Sequence, residues 1–103
     1  MPCIMKQVMP EGVSLEVLDA VTDEMGVDAD PPKGLIVHTH YSEGGQIHIF
    51  DIWESESDYR DFAEHRLGPA MAKVAQQHGL TLPGEPGDGS QAVVDAHRVV
   101  RGS

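Results

Sequence analysis

The 103-residue chain sets 17 acidic against 7 basic residues, a net charge of −10, with 40% apolar and 23% charged side chains. That length fits one domain, and the charge excludes a nucleic-acid or anionic-lipid partner, because Lys6, Lys33, Arg60, Arg66, Lys73, Arg98 and Arg101 are scattered and form no basic stripe. The single cysteine, Cys3, excludes an intramolecular disulfide; no apolar run nears the roughly 20 residues a membrane-spanning helix needs, and the opening residues lack a signal-peptide pattern, so a cytoplasmic protein is expected.

In chain order, residues 3–9 read as a first strand with apolar side chains on both parities, ended by Pro10-Glu11-Gly12. Ser14 is a good N-cap for the helix that follows, with Val13 and Leu18 in hydrophobic-staple positions. At about 100° per residue, Leu15, Val17, Leu18, Val21, Thr22 and Met25 fall on one half of that helix and Glu16, Asp19, Asp23 and Glu24 on the other. This is the pattern of a helix lying on a sheet. Gly26 stops it, and Asp30-Pro31-Pro32 marks a loop. Residues 35–41 and 46–53 are β-rich runs joined by Ser42-Glu43-Gly44-Gly45, where glycine accepts the positive φ of a tight hairpin. Ser55 with Asp58 three residues later resembles a capping box for a second helix, on which Tyr59, Phe62, Ala63, Arg66 and Leu67 share one face. Gly68-Pro69 is expected to kink or break it, with a further helical stretch to about Gln77 that stops near Gly79. Residues 82–90 predict a flexible loop, residues 91–100 a last strand, and residues 101–103 a disordered tail.

Strand, helix, strand, strand, helix, strand predicts an α+β fold of the ferredoxin-like βαββαβ type in a single domain over residues 1–103, with a four-stranded antiparallel sheet and two helices on one face. The other face must then meet water, a ligand or another chain.

The run Asp51-Ile52-Trp53-Glu54-Ser55, followed by a helix bearing Tyr59, Phe62 and His65, resembles the antibiotic-biosynthesis-monooxygenase-like family of the dimeric α+β-barrel superfamily, best over residues 35–77. The resemblance implies a homodimer in which two sheets face each other around a barrel-like cavity. It also implies a cofactor-independent monooxygenase-like activity on a small aromatic or polyketide-like substrate. Trp53 matches a position that lines the pocket in some oxygenases, whereas the second helix lacks the paired histidines of many oxygenase-like members.

An even-numbered turn within residues 42–45 pairs positions whose numbers add to about 87. Ile36, His38, His40, Ile47, Ile49, Asp51 and Trp53 then share one face, and Leu35, Val37, Thr39, Tyr41, Gln46, His48, Phe50 and Ile52 the other. The second set is the more continuously apolar and is expected against the helices. The first is expected to line the open face and its dimer cavity. There His38, His40 and Asp51 admit three readings. A neutral histidine oriented by Asp51 could take a proton from a phenol or an acidic carbon, and the electron-rich anion would then reduce oxygen. His-x-His with a carboxylate could instead hold zinc or another transition metal, although no metal is favoured. Both histidines could also be structural.

Trp53, Ile36, Ile49 and Arg66 are the candidate substrate contacts, Arg66 either covering apolar surface with its stem, pairing with a carboxylate, or meeting an anion at the cavity mouth. His48 is expected on the helix side or near an edge, His65 and His78 in solvent, and His97 beside Asp95 on the last strand. No phosphate-binding loop or CxxC pair is present, so no cofactor is expected. The competing functional classes are a non-catalytic dimeric module for a small ligand or partner, and a metal-dependent enzyme built on His38 and His40.

Overall fold

The computed structural model describes residues 1–9, 13–79 and 91–102. The chain runs through β1 (Cys3–Val8), α1 (Leu15–Met25), β2 (Leu35–Glu43), β3 (Gln46–Trp53), α2 (Glu56–Phe62), α3 (Gly68–His78) and β4 (Gln91–Asp95). The Pro10-Glu11-Gly12 turn, the loop expected over residues 82–90 and the final Ser103 lie outside the described residues.

Local chemistry sets the element ends. The Ser14 hydroxyl accepts the Val17 N–H at 3.2 Å, and α1 stops at Gly26, whose φ of 66° is left-handed. Val13 and Leu18 both enter the core, as the staple predicts. Leu15 is exposed instead of buried, because it falls at the edge of the stripe set by Val17, Leu18 and Val21. The hairpin turns on Gly44 and Gly45 alone, at φ 60° and 82°, as a two-residue loop with both centres at positive φ requires.

Two expectations about the second half are corrected. Gly68-Pro69 does not break the helix. A π-helical segment, Ala63–Leu67, joins α2 to α3 without interruption, and the Gly68 N–H donates to the Ala63 carbonyl. The wider turn accommodates a proline ring that would clash with the carbonyl four residues back. The last strand spans Gln91–Asp95 instead of residues 91–100. Its partner β1 runs out: Cys3 pairs with Asp95, the Ala96 N–H donates to the Pro2 carbonyl at 2.9 Å, and Pro2 has no N–H to return. His97 therefore lies beyond the strand and is exposed.

The sheet order is β2-β3-β1-β4 with every neighbouring pair antiparallel, the ferredoxin-like α+β arrangement. His38 pairs with Asp51 and Tyr41 with His48, a register two residues from the expected one. A slip of two keeps every side chain on its face, so the parity sorting holds. The exception is a bulge between Leu35 and Val37, which sets Leu35 opposite Trp53 and leaves Ile36 as the extra residue.

The assignment of the two faces is reversed. Trp53, Asp51 and Ile49 on β3, Cys3, Met5 and Gln7 on β1, and His38 and His40 on β2 share the helix-covered face. Val37, Thr39, Tyr41, His48, Phe50 and Ile52 share the open one. His48 accordingly sits on the open face, stacked on Tyr41 with ring centres 5.1 Å apart. Under the helices, one core cluster gathers Met9, Val13, Val17, Leu18, Val21, Ala70 and Val74, and a second gathers Cys3, Met5, Trp53, Tyr59, Phe62 and Ala63. Met25, Ile49 and Leu67 pack against both. Among the described residues no helix is long and apolar enough to cross a membrane.

Candidate active site

The reversal of faces places the candidate residues inside the protomer, between sheet and helices. Asp51, on β3 next to the sheet centre, is 1% exposed. A carboxylate so buried must be partnered. The cross-strand register supplies one partner: His38, directly opposite on β2, brings Nδ1 to 2.6 Å from Asp51 Oδ1. The strand period of two supplies the other, because Trp53 lies on the same face and its Nε1–H donates to Asp51 Oδ2 across a long 3.3 Å.

A carboxylate only accepts, so the proton of the neutral imidazole is on Nδ1 and Nε2 carries the lone pair. That Nε2 is buried and has no hydrogen-bond partner among the described residues. Burial pulls the His38 pKa down, but the hydrogen bond and the charge of Asp51 outweigh it and leave the pKa above the usual 6.5. A raised folded-state pKa stabilises the fold fully below pH 6.5, and that contribution is lost as pH rises through the folded value. Thermal melts followed upward from pH 6.5 should therefore fall in the wild type more steeply than in His38→Asn.

His40 does not join this pair. Its Nε2 lies 2.8 Å from Oδ1 of Asp19 on α1, and its ring meets His38 edge-on with centres 5.7 Å apart. The two histidines thus face different carboxylates, and among the described residues no group of three or more His, Cys, Asp or Glu is arranged to hold a metal ion. His38, His40 and Asp51 are neighbours but do not form the three-ligand set that the sequence left open.

The remaining candidates separate as well. Trp53 is 0% exposed and packs against Tyr59 and Phe62 of α2, at ring-centre distances of 5.7 and 5.1 Å. Ile49 is half-buried on the helix side, and Ile36 is the bulged residue of β2. Arg66 donates to the backbone carbonyls of Met25 at 2.6 Å and Asp30 at 2.8 Å, which closes the chain leaving α1. Its guanidinium is committed to the backbone, and the nearest carboxylate oxygen, on Asp30, is 3.8 Å away. Cys3, 2% exposed, is the small buried hydrophobe its position suggested, and burial, aided by nearby carboxylates, pushes its thiol pKa up.

Two partners in this environment, Gln91 and Asp19, escape a reading of the sequence. Tyr59 lies under Trp53, and Gln91 on β4 donates to its hydroxyl. Burial, with the Asp51 charge adding to it and the Gln91 hydrogen bond opposing, pushes the Tyr59 pKa up to about 12. The apolar spacing of α2 marks Tyr59 as inward but gives no sign of Gln91. Asp19 reads as a solvent-facing helix residue, and nothing in its spacing points to His40.

A ferredoxin-like sheet with helices on one face and a paired histidine and carboxylate between the layers is the class of protein this geometry defines. Within that class the fold is the one seen in proteins named for antibiotic biosynthesis monooxygenases. The chain is similar to SnoaB, a cofactor-independent oxygenase from Streptomyces nogalater, at 12% identity over 96% of this chain and 94% of that one, with a TM-score of 0.54. It is similar to a Deinococcus radiodurans protein named for antibiotic biosynthesis monooxygenase, at 12% identity over 100% and 99% of the two chains, TM-score 0.57. It is also similar to Rv0793 from Mycobacterium tuberculosis, at 20% identity over 99% and 98%, TM-score 0.53. No protein-family model and no curated protein matches the sequence. Identities this low speak to the fold, and the chemistry rests on the side chains.

Proposed function

We propose that the chain is a cofactor-independent monooxygenase-like enzyme that acts on a small aromatic or polyketide-like substrate, with His38 as its base. The observation that carries this reading is the buried His38–Asp51 pair, which leaves Nε2, the lone-pair atom of the neutral imidazole, without a partner among the described residues. Asp51 fixes the tautomer and stabilises the imidazolium that forms, as an orienting carboxylate does for a general base. A phenol or enol, or a carbon acidified by one, gives its proton to Nε2. The resulting anion supplies the electrons that reduce dioxygen. Overall the substrate loses two hydrogens and gains one oxygen atom, and the second oxygen atom leaves as water, so no external reductant is consumed. Nε2 faces the interior of one protomer, so the substrate is expected between sheet and helices and not in a cavity shared by two chains.

The test is oxygen uptake and quinone formation with 1,8-dihydroxyanthrone as the probe, read against spontaneous oxidation. Enzyme-dependent uptake that saturates with the anthrone supports the reading. Saturable binding without uptake assigns the chain to the ligand-binding class instead.

The open face supports a homodimer. Ile4, Val8, Val37, Phe50, Ile52 and Val94 form an apolar surface there, with Lys6 between Phe50 and Ala92 and the face's carboxylate, Glu43, at the hairpin tip. An apolar patch with a single lysine and its carboxylate at the margin, on a chain of net charge −10, is suited to a second copy of itself. Sedimentation is expected to give twice the chain mass for the wild type and the single mass for Phe50→Glu, with an unchanged circular dichroism spectrum. A monomeric wild type would sink the dimer.

A further inference from the structure

Asp51 is gripped from two sides, and the second grip has its own consequence. Oδ1 faces His38 Nδ1 at 2.6 Å, while Oδ2 receives the Trp53 Nε1–H at 3.3 Å. The indole N–H is a donor only, so it can serve a carboxylate without exchanging a proton with it. No part of the Trp53 ring reaches solvent, and Tyr59 and Phe62 pack against it. Tyr59 is tied in turn to β4 by the hydrogen bond from Gln91. A ring sealed in this way does not stack on a ligand unless it leaves its place, which argues against the substrate contact expected of Trp53.

We propose that Trp53 is a positioning residue whose Nε1–H fixes the Asp51 carboxylate and thereby keeps His38 protonated on Nδ1 and bare on Nε2. The catalytic half of this inference rests on the reading of His38 as the base; the tautomer half does not. Without the indole donor, Oδ2 is a buried acceptor with no partner from this side, and the carboxylate is free to rotate. Nδ1–H then loses its fixed acceptor. The imidazole populates the tautomer with hydrogen on Nε2, which cannot accept a proton from a substrate.

Trp53 is the only tryptophan of the chain, so biosynthetic incorporation of an analogue alters this position alone. Benzothienylalanine puts sulfur where the indole has N–H and keeps the bicyclic shape; 5-fluorotryptophan keeps the N–H and serves as the control. The readout is the nitrogen NMR spectrum of the His38 imidazole above its titration range, assigned by its loss in His38→Asn. The wild-type and fluorotryptophan proteins are expected to show the Nδ1–H tautomer alone. The sulfur analogue is expected to show a mixture, and its anthrone turnover should fall about tenfold, well short of the roughly 10⁴-fold that a wholly wrong tautomer costs.

An unchanged tautomer in the sulfur analogue overturns the proposal and leaves Trp53 as core packing. A changed tautomer with no turnover in any form supports the positioning role and removes the oxygenase reading, so the two failures are distinct. Should the analogue not fold, the single indole N–H resonance gives a second measurement. It should shift when Asp51→Asn replaces the carboxylate, and an unmoved resonance overturns the contact on which the proposal stands.

Discussion

Replacing His38 with asparagine is expected to lower anthrone turnover by about 10²- to 10⁴-fold, the contribution of a positioned general base, with little change in melting temperature once the pH is above the raised folded-state pKa of His38. The choice of asparagine separates the two roles of the residue. Its amide nitrogen can take the place of Nδ1 and keep a hydrogen bond to Asp51 Oδ1, now 2.6 Å from the imidazole, so the buried carboxylate remains partnered. What is lost is Nε2, the atom left without a partner among the described residues. Alanine would remove both atoms and strand Asp51 in the core, mixing a folding defect with a chemical one. His40→Ala is the natural comparison. That ring is held by Asp19, so its removal is expected to cost turnover far less. Full activity in His38→Asn would sink the proposed function, whatever the anthrone result for the wild type.

The largest expected effect on stability is that of Trp53→Ala, at about 3–5 kcal/mol, the usual cost of truncating a buried tryptophan to alanine. The site has little room to collapse, because Trp53 is 0% exposed and held between Cys3 across the sheet and Tyr59 and Phe62 on α2. The substitution also strips a donor from Asp51, a buried carboxylate. For a domain of this size such a loss lowers the melting temperature by on the order of 20 °C, and it approaches the whole of a typical folding free energy of about 5–15 kcal/mol. Chemical denaturation followed by circular dichroism measures it. A loss below about 1 kcal/mol would contradict the packing described. The sulfur analogue removes only the N–H and should cost far less, so comparing the two separates volume from hydrogen bonding at one position.

The amino-acid order by itself determined the elements and their succession. Serines at helix starts and glycines at Gly26, Gly44, Gly45 and Gly79 act through their immediate neighbours, so these boundaries are legible without a third dimension. The β-strand period of two likewise put His38, His40, Asp51 and Trp53 on one face and kept them together despite the shift in register. Where the controlling interaction was distant, the sequence was silent. The length of β4 depends on where β1 stops, and the continuity of the second helix depends on a π-helical turn that local rules for proline do not foresee.

Which face the helices cover was decided only by the tertiary structure. The apolar count favoured Val37, Phe50 and Ile52, yet the helices cover the face that carries two histidines and an aspartate. A polar side chain can be buried when a partner comes with it. The partners here are His38 for Asp51 across a strand pair, Trp53 for Asp51 along a strand, and Asp19 for His40 from a helix 21 residues away in sequence. Hydrophobicity is counted one residue at a time, whereas the cost of burying a charge belongs to a pair, and only the folded chain says which pairs exist.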